Sequence, residues 1–198
     1  LGACTDTVYR DRPPFNPPPD AASGFLGYFS ADDKQTTCGN CHVDHQGDWA
    51  KHGHSDAYAT LANSGSDQAF CYSCHTVSQN GNAVDVAAGW NVTPDKAYHD
   101  VQCESCHGPG ETHVTTPDAA APPLAKVAAD TGGTSGTCGE CHDGTHHPYV
   151  SQWGQSRHGV ALAEVVDEAI TLPANYTSCL ACHEGRAALK AWGVTSNY

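Results

Sequence analysis

The chain has 198 residues, with 22 acidic against 9 basic side chains, giving a formal charge of −13. That charge argues against nucleic acid and an anionic membrane surface as partners, and for a cationic partner or one with a basic patch. Hydrophobic residues make up 39% and mean hydropathy is −0.46, which is thin for an ordinary apolar core; no run of about 18 apolar residues is present to span a membrane.

Residues 1–37 read as a proline-rich N-terminal arm. Pro13-Pro14-Phe15-Asn16-Pro17-Pro18-Pro19 favours extended polyproline geometry and cannot be helix interior, so the arm lies on the body or reaches towards a neighbour. Near its start, Leu1-Gly-Ala-Cys4 resembles a lipobox. A lipid on Cys4 is then the one route to a membrane, and the alternative is a free or intermolecularly paired thiol. No leader is visible in the sequence, and one is expected to have been removed.

From residue 38 onwards the sequence is organised by cysteine. Ten of the 11 cysteines form five Cys-x-x-Cys pairs, each followed directly by histidine: Cys38-Gly-Asn-Cys41-His42, Cys71-Tyr-Ser-Cys74-His75, Cys103-Glu-Ser-Cys106-His107, Cys138-Gly-Glu-Cys141-His142 and Cys179-Leu-Ala-Cys182-His183. This is the attachment signature of c-type haem. Two thiols form thioethers to the porphyrin vinyl groups, and the histidine binds iron from one side. Zinc sites also use Cys-x-x-Cys pairs, but they close tetrahedrally on two of them, so five would leave one stranded. A disulfide across a two-residue gap is a poor staple. The expected cofactors are five covalently bound haem c groups, at about forty residues each. Thioether attachment takes place outside the cytoplasm, so the expected compartment is periplasm, cell surface or extracellular space.

The motifs divide the chain into a three-haem unit (38–114), a linker rich in Ala, Pro, Thr and Gly (115–136) and a two-haem unit (137–198). An internal repeat spans the linker. Cys38 to His75 carries Trp49 and His54 between its two motifs, and Cys138 to His183 carries Trp153 and His158, with the tryptophan five residues before the histidine in both copies. Duplication of a two-haem unit is the economical account. Helical spacing is present at 159–170, a terminal helix is expected at 179–192, and shorter helices are expected on each Trp-to-His segment. Nothing alternates long enough to argue for a sheet. The expected fold is mostly α with extensive irregular coil, wrapped around a closely packed row of five haems as one haem-cored body.

Each iron needs a second axial group or an open face. The chain contains no methionine, so the His/Met ligation that raises potential in simple cytochromes c is unavailable and low-potential bis-histidine ligation is expected. Eight histidines lie outside the motifs: His45, His52, His54, His99, His113, His146, His147 and His158. The repeat favours His54 and His158 as ligands, with Trp49 and Trp153 packing on haem faces. Pro109 and Gly110 turn the chain after the third motif, directing His113 to an iron other than its own. His99 and one of His146 or His147 complete the set. His52, two residues from His54, points elsewhere on a helix.

Cys103-Glu-Ser-Cys106-His107-Gly-Pro-Gly-Glu-Thr-His113, together with the Trp-to-His elements, resembles a broad group of multihaem c-type cytochromes, among them the tetrahaem cytochrome that accepts electrons from hydroxylamine oxidoreductase. The resemblance covers residues 38–183. It implies haems packed in alternating stacked and perpendicular pairs, His113 serving the haem of His42, and His54 reaching a haem of a later motif. The chain departs from that pattern in having five motifs and in His52, where a serine is usual. One haem of that relative lacks a sixth ligand, and the haem of His75 is the candidate for an open site here.

Three functions follow. The first is electron transfer along the row of haems to redox partner proteins or other cytochromes. The second is a small reductase with one open haem, disfavoured because no motif ends in the lysine usual in pentahaem nitrite reductases. The third is self-assembly into an extracellular filament, compatible with the arm and the surplus histidines.

Overall fold

The computed structural model describes residues 15–117, 122–123, 125, 138–144, 147–159 and 182–183. The expected helices at 159–170 and 179–192 lie almost wholly outside them, as do Cys4, His146 and Cys179. The chain forms two compact units, residues 1–126 and 127–198.

In the first unit the chain leaves its prolines at Asp20, which is buried and tied from both ends. Its backbone N–H donates to the Tyr98 hydroxyl (3.0 Å) and its carboxylate accepts the Gly89 N–H (3.1 Å). Those bonds seat the next residues, so the segment read as part of the arm delivers Phe25, Leu26 and Tyr28 to the interior. Phe25 packs with Val77, Ala88 and Tyr98, flanked by half-buried Val84 and Trp90. A short antiparallel hairpin follows, β1 (Tyr28–Ser30) and β2 (Gln35–Thr36), pairing Tyr28 with Thr36 and Ser30 with Gln35 across an irregular register. Two strands of this length are not stable by themselves. This pair is held by the Tyr28 hydroxyl donating to buried Asp100 (2.8 Å) and by Tyr28 meeting Trp49 edge-on (6.2 Å).

The helices lying wholly within the described residues are single or double turns: α1 (Val43–Trp49), α2 (Ala57–Asn63), α3 (Tyr72–His75), α4 (Glu104–His107) and α5 (Glu111–Thr115) in the first unit, α6 (Gly139–His142) and α7 (Tyr149–Gly154) in the second. Isolated helices this short do not persist in water, and side chains anchor them. The Trp49 indole N–H donates to the Val101 carbonyl (2.8 Å), fixing the end of α1, and Ala57 and Leu61 are the buried residues of α2.

Among the described residues nine hydrophobic side chains are buried against eleven polar or charged ones. The interior is therefore mainly a hydrogen-bonded scaffold. Asn82 illustrates it: fully buried, its amide donates to the Ser78 carbonyl (2.8 Å) while its oxygen accepts the Val84 N–H (3.0 Å). The loop it organises carries isolated antiparallel bridges, Thr76 with His99 and Ser78 with Gly89, that hold the segment after the second motif against the segment before the third.

Candidate haem-attachment sites

The four motifs described in full share one local shape. Each closes on a single helical turn, with the motif histidine N–H donating to the first cysteine carbonyl at 2.9 Å (His42), 3.0 Å (His107) and 2.9 Å (His142); in the second motif Cys71 ends the 3-10 turn Ala69–Cys71 and α3 runs on from it to His75. One turn places positions i, i+3 and i+4 on a common face. Both thiols and the imidazole are therefore presented together, as covalent attachment with axial ligation requires. The nine described motif cysteines form no disulfide with one another. Among the described residues no three His, Cys, Asp or Glu side chains converge into a metal-ion site, so the donors are offered motif by motif.

Two proximal histidines have their tautomer set by the backbone. His75 Nδ1 lies 2.8 Å from the Ala57 carbonyl and His107 Nδ1 lies 2.7 Å from the Pro123 carbonyl. A carbonyl only accepts, so each Nδ1 carries the proton and each Nε2 keeps its lone pair for a metal.

The first motif is met from two directions. His113, on α5 and carried there by the turn through Gly108 (φ +80°), places its ring 6.5 Å from that of His42 with 24° between the planes. An iron gripped by two imidazoles, at about 2 Å per metal–nitrogen bond plus about 1.1 Å to each ring centre, sets the centres about 6.2 Å apart. The His113 Nδ1 is buried without a hydrogen-bond partner, which is costly for an imidazole unless something takes it up. The His45 ring is also near, 6.0 Å from His42 at 37°. It sits three residues along the same chain segment, however, so a plate as broad as a porphyrin placed between the two would cut through α1. Thiols of the first and third motifs meet as well. Cys38 hydrogen-bonds to Cys103, which draws the Cys103 thiol down and pushes Cys38 up. The residues present fit a haem at this motif.

The remaining candidates are more scattered. His99 stacks flat on Tyr58 (3.5 Å, 9°) within a group that includes Trp90 and Tyr72 of the second motif, and burial lowers its basicity. His54 lies exposed on the 3-10 turn Gly53–Asp56 and its carbonyl accepts the Val101 N–H (3.1 Å). His52 lies just before that turn in extended backbone rather than on a helix.

In the second unit the His147 ring stands 5.8 Å from that of His142, nearly perpendicular (76°), with Tyr149 beside both. Trp153 on α7, like Trp49 on α1, sits at the end of the short helix that follows its motif. His158, Cys182 and His183 are exposed. Several exposed apolar side chains border the motifs, including Val43 beside His42 and Phe70 beside Cys71, at 67% and 65% exposure; a porphyrin face would cover such groups. Glu104 and Asp100, both buried, organise the surroundings of the first three motifs, and sequence reading singled out neither.

Residues 37–108, which carry the first three motifs, match the family described as cytochrome c554 and c-prime. The match supports a c-type cytochrome. With it come electron transfer, covalently bound haem c and redox proteins as partners. No curated protein and no solved structure matches the chain. Among the described residues no helix is long and apolar enough to cross a membrane.

Proposed function

We propose that the chain is a five-haem electron carrier working outside the cytoplasm, with mainly bis-histidine irons of low potential. The observation that carries this reading is the His42–His113 pair, 6.5 Å apart beside a one-turn motif whose thiols share a face with His42. When bound, haem iron supplies the Fe(II)/Fe(III) couple.

The chain's own residues do the rest. Ten motif cysteines tether the five groups, so spacing is set by covalent attachment rather than by affinity. His42, His75, His107, His142 and His183 would hold the five irons, joined at the first motif by His113 and at the others by His54, His158, His99 and one of His146 or His147. The Ala57 and Pro123 carbonyls hold His75 and His107 in the tautomer that binds metal. The contact between Cys38 and Cys103 brings the attachment points of two groups together, and edge-to-edge closeness is what hopping between them needs. The acidic surface selects a partner with basic residues, and it is the place where salt would weaken encounter.

The test is a count followed by a titration. Purified protein should hold five irons per chain as covalently attached haem and should reduce over a broad, low range of potential. A colourless product, or one isolated high-potential step, would remove the proposal.

A further inference from the structure

We propose that Glu104 is the positioning residue that sets His113 opposite His42, acting through the backbone of two other segments. The inference rests on the reading of His42 and His113 as an axial pair.

Glu104 lies inside the third motif, between Cys103 and Cys106, where a carboxylate would ordinarily face water. Instead it is 3% exposed. Its Oε1 accepts the N–H of Gly110 (2.8 Å) and that of Leu26 (3.0 Å), and its Oε2 accepts Leu26 (2.9 Å) and Gly27 (2.7 Å). Three backbone donors from two separate segments thus converge on one side chain, enough to hold a buried carboxylate that no cation among the described residues reaches.

Each bond leads towards the axial pair. Gly110 is the residue on which α5 starts, three residues before His113, and the turn into it is closed by the Gly108 N–H on the Glu104 carbonyl (2.9 Å). The Glu111 N–H donates in turn to the Gly24 carbonyl (3.2 Å), so α5 is pinned to the 24–27 segment as well. On the other side, the Gly27 carbonyl accepts the N–H of Thr37, the residue before Cys38 (3.0 Å). One carboxylate therefore fixes the base of the His113 helix and, through Gly27 and Thr37, the start of the motif that ends in His42. Neither histidine touches Glu104; their separation is set through it.

The experiment uses haem-loaded protein and reads the spin state of iron by electron paramagnetic resonance and visible absorption, beside total haem content. His113→Ala should add one high-spin haem per chain relative to the parent protein. Glu104→Ala should add at least half as much with haem content unchanged, and free imidazole should return that fraction to low spin. Glu104→Gln, which keeps one acceptor oxygen, should show a smaller gain, and the Glu104→Ala, His113→Ala double variant no more than His113→Ala alone.

Should Glu104→Ala give no haem-loaded protein, Gly110→Ala carries the test, because its added Cβ meets Oε1 at 3.2 Å and displaces the clip without removing it. It should show the same imidazole-sensitive high-spin gain. A residue that only stabilised the fold would lower the melting temperature and leave spin state alone. Unchanged spin in the Glu104 or Gly110 variants, with His113→Ala high-spin, overturns the positioning role and leaves the axial pair standing. Unchanged spin in His113→Ala overturns the axial pair itself, and the inference with it.

Discussion

Replacing Asp100 tests whether the polar interior is specified atom by atom. The residue is 2% exposed and sits in the left-handed region at φ +67°. Its Oδ2 accepts the Tyr28 hydroxyl (2.8 Å) and lies 3.2 Å from Lys34 Nζ, while its Oδ1 accepts the Tyr58 N–H (2.8 Å). Burial first, then the bond to Asp100, pushes the Tyr28 hydroxyl well above the ordinary tyrosine value. Asp100→Ala strands two donors formerly bonded to a charged acceptor, at about 1.5–3 kcal/mol each. It also places an alanine where aspartate tolerates positive φ, at about 1 kcal/mol more, for a total of about 4–7 kcal/mol. Asp100→Asn keeps Oδ1 for the Tyr58 N–H, and its new N–H₂ meets a Tyr28 hydroxyl that turns to accept. It loses mainly the Lys34 contact, worth at most about 1 kcal/mol because Lys34 is partly exposed. Urea unfolding of haem-loaded protein, followed by far-ultraviolet circular dichroism, gives both numbers. An Asp100→Ala cost within 1 kcal/mol of the Asp100→Asn cost would refute the accounting.

Two glycines should respond in opposite senses. Gly27 has φ +67° and a Cβ there would run into the Ala97 carbonyl, whereas Gly47 in α1 has open space around it; Gly27→Ala should cost at least about 2 kcal/mol and Gly47→Ala should gain about 0.5–1 kcal/mol in the same unfolding assay. Tyr98 carries an alkaline signature. Burial, opposed by the Asp20 N–H, pushes its hydroxyl up to about 12, so the folded chain keeps a proton that the unfolded chain releases from about pH 10. The stability tied to that proton is complete below pH 10 and is lost as pH rises towards 12, at up to about 1.4 kcal/mol per pH unit. Tyr98→Phe should flatten the decline of unfolding free energy between pH 10 and 11 while lowering stability at neutral pH by about 1–2 kcal/mol, since it gives up the bonds to Phe25 and Asp20. Equal slopes for the two proteins would exclude that role.

The parts legible in the sequence are those whose geometry is local. A cysteine, a cysteine three on and a histidine one further fix a donor face within a single helical turn, so the motifs could be read from spacing alone. The turn after the third motif was readable for the same reason, Pro109 and Gly110 being residues that break a helix. What was not legible depends on contacts across the chain. Glu104 is one of two glutamates found inside motifs, the other being Glu140, and nothing about its spacing reveals that Leu26, Gly27 and Gly110 converge on it. Asp100 is equally plain in sequence, since its importance comes from Tyr28, 72 residues away. The short apolar cluster Phe25-Leu26-Gly27-Tyr28-Phe29 was the available sign that the chain becomes interior soon after its prolines. The prolines dominated that reading because they constrain backbone strongly and over a longer run.

The balance inside the first unit bears on what holds it folded. Its described helices are at most seven residues long, so none of them nucleates and persists alone. Its buried polar groups outnumber its buried apolar ones among the described residues, and hydrogen bonds net only about 1 kcal/mol each because the unfolded chain bonds to water. Such a network chooses one geometry over others but does little to drive collapse. The drive has to come from apolar area, and Val43 and Phe70 stand exposed beside the motifs where two broad porphyrin faces would add it. Covalent attachment places that area at each motif without a separate binding step. Protein made without haem should therefore lose most of its helical signal and unfold without a cooperative transition, while haem-loaded protein melts as a unit. A haem-free chain with native helicity and a sharp melt would mean that the polar scaffold folds unaided, and that the haems are guests rather than core.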